Sequence, residues 1–149
     1  MINFNWYHFA EFTVEQLYAV LILRSNVFVV EQNCAYLDPD GKDPSALHLL
    51  GMENGLLVAY LRLFLPTETE NDIVFGRVVT EQSARTKGYG KKLMEELLVY
   101  CDTNYPGVPI KCSAQNYLTK FYGQLGFKTY GAVYEEDGIP HIEMRRNFL

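Results

Sequence analysis

One six-residue segment, Arg85-Thr86-Lys87-Gly88-Tyr89-Gly90, constrains this chain more than any other stretch of it. The apolar run Ile73-Val74-Phe75-Gly76-Arg77-Val78-Val79 precedes it and reads as a strand. A helical pattern from about Lys91 to Asn104 follows it. Strand, glycine turn and helix in that order belong to an α/β layer structure. The two glycines let the backbone approach a ligand closely. The helix aims its unpaired N–H groups and positive dipole end at the same spot. The segment therefore reads as an anion cradle, with a phosphate as the expected anion.

The distribution of charge supports this reading. The chain carries 13 Lys plus Arg against 18 Asp plus Glu, a net charge of −5. Yet Arg85, Lys87, Lys91 and Lys92 crowd this one segment. Lys91 and Lys92 stand in the first helical turn, where a cation opposes the macrodipole by roughly 0.3–1 kcal/mol. A docked anion offsets that cost, and nothing local does. The plainer alternative is a solvated face beside an ordinary glycine turn.

Two common phosphate loops are excluded by the residues that do their chemistry. A P-loop needs Ser or Thr after Gly-Lys to hold a metal ion, and here Gly90-Lys91 is followed by Lys92. A dinucleotide fingerprint needs a small third residue where Leu93 stands. It also needs a ribose-binding acid about 20 residues further on, where Ile110 and Lys111 stand. What remains is Arg-x-x-Gly-x-Gly. In this signature the chain resembles the GCN5-related N-acetyltransferases (GNAT), which bind the pyrophosphate of acetyl-coenzyme A (acetyl-CoA) with such a loop. The resemblance implies that the backbone of Arg85, Thr86, Lys87, Gly88, Tyr89 and Gly90, with Lys91 behind it, holds the pyrophosphate. It also implies that Val78 and Val79 pair with the pantetheine arm as a strand would.

At 149 residues the chain suits one well-buried core and is short for two, so residues 1–149 are expected to form a single domain. Hydrophobic residues at 48% and aromatics at 14% favour a packed core over disorder. No apolar run approaches the ~20 residues that span a bilayer, so no membrane partner is expected. The start, Met1-Ile2-Asn3-Phe4-Asn5-Trp6, lacks the basic and apolar blocks of a signal peptide. Cys34, Cys101 and Cys112 form neither an even disulfide set nor a Cys-x-x-Cys pair. The expected location is the cytoplasm. Net acidity argues against nucleic acid as a partner and suits a small cationic or amine substrate. Monomer and homodimer both stay open.

Along the chain, Phe4 to Phe9 reads as an opening strand, and Thr13-Val14-Glu15-Gln16 is a capping box that starts a helix running or kinking toward Phe28. Pro39, Gly41 and Pro44 make the next stretch a loop that carries Asp38, Asp40 and Asp43. Leu47 to Met52 and Leu56 to Phe64 flank Asn54-Gly55, a two-residue hairpin signal. After the cradle and its helix come a strand from Val108 to Ser113, a helix near Tyr117 to Leu125 that stops at Gly126, and a hairpin around Asp137-Gly138. The expected architecture is a single α/β domain, a mixed and mostly antiparallel sheet flanked by helices. That order of elements resembles the GNAT fold over nearly the whole chain. Phe28-Val29-Val30-Glu31-Gln32-Asn33-Cys34, Asp38-Pro39-Asp40-Gly41 and Glu136-Asp137-Gly138-Ile139-Pro140-His141-Ile142 are similar to the ElaA-like branch of that superfamily.

Acetyl transfer to an amine needs a neutral nucleophile, a polarised thioester carbonyl and a proton for the departing thiolate. A lysine-like amine, with pKa ~10.4, is almost wholly protonated near neutral pH, so a base or a water leading to one is useful. A backbone N–H suffices for the carbonyl, and the resemblance assigns it to the strand around Val79. Tyr122 is the candidate acid, because the resemblance puts a tyrosine four residues before a Gly-Phe pair near the sulfur, and Gly126-Phe127 keep that spacing. Its plain alternative is a core aromatic, since Leu118, Phe121, Tyr122 and Leu125 share a helical stripe. The slot the family usually fills with Asn holds Gln115, and Asn116, shifted by one, is the candidate coenzyme contact.

Two residues compete with water as the base. Glu31 follows the apolar run Val27 to Val30, where partial burial would raise its pKa; otherwise it is a cap or an ion-pair partner, for example of Arg24. His141 has the ordinary pKa for the task or is a satisfied histidine at a hairpin end. His48, at the start of a strand, reads as structural. The acidic loops attract a cationic acceptor or are simply solvated. The Asp38 to Asp43 loop lacks calcium-loop spacing and its terminal Glu, so no metal is expected. Against the enzyme stands a non-catalytic acyl-CoA-binding sensor or scaffold, which the cradle supports equally.

Overall fold

The computed structural model describes residues 1–147, so Phe148 and Leu149, the end of the expected domain, lie outside the described residues. The strands are β1 (Ile2–His8), β2 (Leu47–Glu53), β3 (Leu56–Phe64), β4 (Ile73–Thr80), β5 (Ile110–Gln115), β6 (Lys128–Glu136) and β7 (Ile139–Arg146). They form one seven-stranded sheet in the order β1-β2-β3-β4-β5-β7-β6. All neighbours run antiparallel except β4 and β5. The helices are α1 (Val14–Arg24), α2 (Tyr89–Asn104) and α3 (Thr119–Gly123). The mixed α/β architecture read from the sequence is the one observed.

Local chemistry explains the elements. Asn54 and Gly55 have φ of 52° and 77°, the left-handed pair that a two-residue hairpin turn requires. The Thr13 hydroxyl accepts from the Gln16 N–H at 3.1 Å and the Gln16 side chain accepts from the Thr13 N–H at 2.9 Å, which closes the capping box of α1. Alternating residues of each strand feed opposite faces of the sheet. Leu49 and Leu61 pack with Leu93, Met94 and Leu97 of α2, whereas their neighbours Leu50 and Tyr60 pack with Val20 and Leu23 of α1.

Several boundaries differ from expectation. Past Arg24 the chain continues, one of the two expected courses, but as a π-helix, Ser25–Glu31. The second C-terminal helix is a 3-10 turn, Asn116–Leu118, followed by the short α3. Gly126, at φ 95°, ends that region as expected.

The acidic loop is the main correction. Its acids are tied into the fold by arginines and are not a free acidic lure. Asp38 and Asp43 are buried, and Arg24, only 1% exposed, holds both: Nε lies 2.7 Å from Asp38 Oδ2 and Nη1 2.8 Å from Asp43 Oδ1. Arg62 of β3 donates to Asp43 at 2.9 Å and to Asp40 at 2.6 Å, and Arg77 of β4 donates to the Asp38 carbonyl at 2.8 Å. Three guanidinium groups face three carboxylates. A buried charge left unpaired would be far costlier than this mutual arrangement. Arg24 is thereby engaged, so it is not the partner of Glu31.

β4 positions the site. It meets β5 only at Ile73–Ile110 and Val74–Lys111, after which the two parallel strands part. Arg77, at φ 52°, sits in a bulge where Arg77 and Val78 both stand opposite Leu61 of β3. The bulge bends β4 away from β5.

Candidate active site

Where β4 and β5 part, a cavity of about 1140 Å³ opens. One wall is Gly76 to Thr80 of β4, and the other is Cys112 to Gln115 of β5. The π-helix contributes Phe28 and Glu31, and the β6–β7 hairpin contributes Glu136 and His141. Past Val74 the β5-facing edge of β4 carries no strand partner among the described residues. Val78 and Val79 lie on this stretch and line the cavity, so their backbone is placed to pair with an extended ligand.

At one end stands the glycine loop. Thr86 and Gly88 have φ of 75° and 77°, and Gly88 is the N-cap of α2 without any side-chain cap. The first helical bond runs from the Lys92 N–H to the Gly88 carbonyl at 3.2 Å, so the N–H groups of Tyr89, Gly90 and Lys91 have no intrahelical partner. A Cβ on Gly90 would meet Phe121 at 3.7 Å, ordinary contact, so packing within the protein does not itself demand glycine there. Gly90 lines the cavity. Uncapped amides beside a glycine at the cavity wall fit a pyrophosphate.

The side chains of the loop correct the charge argument. Arg85 binds Glu31, and Lys87 lies 3.1 Å from Glu53. Two of the four crowded cations thus have carboxylate partners, 54 and 34 residues away in sequence, where no local pattern reveals them. The Tyr89 ring is buried with Val58 and Ala84, and its hydroxyl hydrogen-bonds Glu53, so only its backbone belongs with the loop. Lys92 sits 5.8 Å from the Tyr89 ring centroid.

Asn116 is exposed and stands outside the cavity wall, while Gln115 lines it. The Gln115 amide is paired reciprocally with Gln32, at 3.1 and 3.4 Å. Cys34 also reaches across, with Sγ 3.2 Å from the Asp137 carbonyl. Sequence reasoning missed the Gln32–Gln115 and Cys34–Asp137 contacts. Adjacent glutamine and cysteine in Gln32-Asn33-Cys34 were the available signal, but their partners lie far along the chain.

Tyr122 on α3 is 5% exposed and packs against Phe75, Phe121 and Phe127, with centroids 5.9, 5.1 and 6.1 Å away. It also lines the cavity, and its hydroxyl has no hydrogen-bond partner among the described residues. Burial pushes its pKa well above the ordinary tyrosine value. The core and cavity alternatives therefore coexist in one side chain.

Glu31 is corrected. It is exposed at the end of the π-helix, and Arg85 holds both of its oxygens, so the expected burial is absent. His141 is 7% exposed; Nδ1 lies 2.7 Å from the Ile139 carbonyl, and Nε2 lies 3.4 Å from Glu136. His48 is buried between the Tyr60 hydroxyl at 2.7 Å and the Asp43 carbonyl at 2.9 Å. Burial lowers its pKa and both nitrogens are engaged, so His48 is structural. Among the described residues no group of His, Cys, Asp and Glu is arranged to hold a metal. None of the described helices is long and apolar enough to cross a membrane.

The model of the acetyltransferase (GNAT) domain matches residues 29–148. Protein ElaA of Escherichia coli strain K12 is 43% identical over 151 residues, spanning 100% of this chain and 99% of that protein. The crystal structure of Escherichia coli ElaA superposes with a TM-score of 0.91 at 43% identity, covering 99% of this chain and 100% of that one. The crystal structure of an acyl-CoA N-acyltransferase from Pseudomonas aeruginosa superposes with a TM-score of 0.92 at 43% identity, covering 98% of this chain and 99% of the other. By sequence, sheet order and the parting of β4 from β5, this chain belongs to the GNAT acetyltransferase family, on the branch that contains ElaA.

Proposed function

We propose that this chain transfers an acetyl group from acetyl-CoA to a primary amine of a small molecule or peptide, by direct attack of the amine on the thioester. One observation carries the reading: the open edge of β4, Tyr122 and His141 all line a single cavity that begins at the uncapped end of α2. The likeness to a Pseudomonas aeruginosa acyl-CoA N-acyltransferase supports it.

In this reading the amides from Arg85 to Lys91 hold the pyrophosphate, and Val78 and Val79 align the pantetheine arm. A backbone N–H near Val79 polarises the carbonyl. The acceptor ammonium gives one proton to His141 Nε2, and the neutral amine then forms the C–N bond. As the C–S bond breaks, the thiolate takes the Tyr122 proton, and the second nitrogen proton restores Tyr122. The balance is one ammonium and one thioester giving an amide, a thiol and one proton. Direct attack is favoured over a relay through Cys112, on the cavity wall, because burial pushes its thiol up to about 12. The proposed location is the cytoplasm.

The test is free-thiol release from acetyl-CoA against polyamines, amino acids, aminoglycosides and N-terminal peptides. Amine-dependent release is expected. Measured coenzyme binding without release across the panel would replace the enzyme with an acyl-CoA-binding sensor.

A further inference from the structure

The turn end of the β6–β7 hairpin gathers around His141 side chains that the reaction above leaves without a task. His141 Nδ1 lies 2.7 Å from the Ile139 carbonyl. A carbonyl only accepts, so Nδ1 carries a proton and the neutral ring keeps its lone pair on Nε2. Nε2 lies 3.4 Å from Glu136 Oε2 on the neighbouring strand. The face of the ring stacks on Tyr134, with centroids 6.2 Å apart at 26°, and the Tyr134 hydroxyl hydrogen-bonds Ser113 of β5. One nitrogen is anchored, one face is covered, and the remaining nitrogen stands beside a carboxylate. Glu136, His141 and Ser113 all line the cavity.

The separation matters. A deprotonated Nε2 and a carboxylate are both acceptors and form no hydrogen bond, but at 3.4 Å Glu136 is within ion-pair range once Nε2 takes a proton. The Glu136 side chain is 53% exposed, against 9% for His141. Taking a proton from an ammonium turns the nearly buried ring into a cation, and a cation there needs a counter-charge. Glu136 is the charged group within 4 Å of the ring among the described residues. The other groups around it are Tyr134 and Ser113, Gln115 opposite it on β5, and Asp137 in the turn, whose carbonyl accepts from Cys34.

We propose that Glu136 is a positioning residue for His141: it stabilises the imidazolium formed when the acceptor ammonium gives up its proton, and holds that protonated ring in place. This rests on the acetyl-transfer reading. Glu136 acts through His141 and exchanges no proton itself.

Two measurements test the proposal on the full-length protein. The first is long-range ¹H–¹⁵N spectra of His141 in the wild type and in Glu136→Gln, read without any turnover. The second is kcat and KM for the best amine in wild type, Glu136→Gln, Glu136→Asp and the same Gln change in a His141→Gln background. Glu136→Gln is expected to move the His141 Nε2 resonance and lower kcat by about fivefold, the upper range for an exposed ion pair. Coenzyme affinity stays unchanged, Glu136→Asp recovers part of kcat, and the loss disappears once His141 is gone. Unmoved nitrogen resonances overturn the proposal, as does an equal kcat loss with and without His141. A wild-type protein that releases no thiol with any amine would sink the acetyl-transfer reading, while the spectra would still decide the Glu136–His141 contact.

Discussion

Arg85 and Glu31 join the loop before α2 to the end of the π-helix through two contacts, with Arg85 Nη2 2.9 Å from Glu31 Oε1 and Nη1 on Oε2. This relationship decides between two roles for Glu31. A base needs a free lone pair near the reacting nitrogen, and here both oxygens face a guanidinium. Glu31→Gln is therefore expected to keep kcat within about threefold, as suits an exposed ion pair. Steady-state kinetics with saturating acetyl-CoA measure it. A fall of about 10²-fold or more, typical for a missing base, would return Glu31 to the chemistry.

Tyr122 carries the opposite expectation. Its hydroxyl bonds no described residue, so Tyr122→Phe orphans nothing and should change stability by less than about 0.5 kcal/mol. Burial disfavours the phenolate, so the proton stays on through neutral and mildly alkaline pH. Loss of that donor should lower kcat by about 10²-fold with coenzyme affinity unchanged. Calorimetric coenzyme titration beside thiol-release rates separates the two effects. An unchanged kcat would reduce Tyr122 to a core aromatic.

These residues also show what a sequence alone reveals. The capping box, the Asn54-Gly55 turn and the glycine loop were legible because each is local chemistry, set by residues within a few positions. The place of Tyr122 on the cavity wall was suggested by its distance to Gly126-Phe127, while its role stays a proposal. The Arg24, Arg62 and Arg77 cluster was not, because it joins a helix end, a strand and a bulge to one loop. Each Asp of that loop looks like a solvated turn residue until the long-range partners are known. Glu31 failed for the same reason. Its apolar neighbours suggested burial, but the π-helix turns it outward to Arg85. Asn116 stands one residue past the cavity wall, since the end of β5 puts Gln115 there and a 3-10 turn starts at Asn116.

Gly88, at φ 77° as the N-cap of α2, makes a third case. Open space surrounds its would-be Cβ, so the obstacle to a side chain is conformational. Gly88→Ala should destabilise the fold by about 1 kcal/mol, through the left-handed backbone alone. If the loop amides hold the pyrophosphate, the same change should weaken coenzyme binding more than it weakens the fold. Chemical denaturation and coenzyme titration of one variant compare the two. Equal binding in Gly88→Ala and wild type would remove the loop geometry from coenzyme recognition.

Three cysteines offer a check on burial. Cys101 and Cys112 are 1% and 4% exposed, and burial pushes both thiols up to about 12. The thiolate is the reactive form, so neither should react with a disulfide reagent at pH 8 in the folded protein. All three cysteines should react after denaturation. Two or more fast-reacting thiols in the native state would contradict the packing around α2 and β5.

The buried ion cluster predicts how the protein meets acid. The hydrogen bond from Arg62 holds Asp40 well below the usual carboxylate range, against the opposing effect of burial. For Asp43, burial by itself pushes the pKa up, and the hydrogen bonds from Arg24 and Arg62 outweigh it, so the net direction is down. A carboxylate with a lower pKa folded than unfolded stabilises the fold above the unfolded value of about 3.9, and that stabilisation is lost as pH falls below it. Asp43→Asn leaves Arg24, 1% exposed, and Arg62, 5% exposed, facing a neutral amide. At pH 7 the variant should be less stable by about 3–5 kcal/mol, the range for breaking a buried pair. Urea unfolding at pH 7, 5, 4 and 3 should show the gap to wild type constant down to about pH 5 and closing below it, as protonation removes from the wild type what the substitution removed outright. A gap of constant size down to pH 3 would mean that these carboxylates are not the acid-sensitive bond between the loop and the sheet.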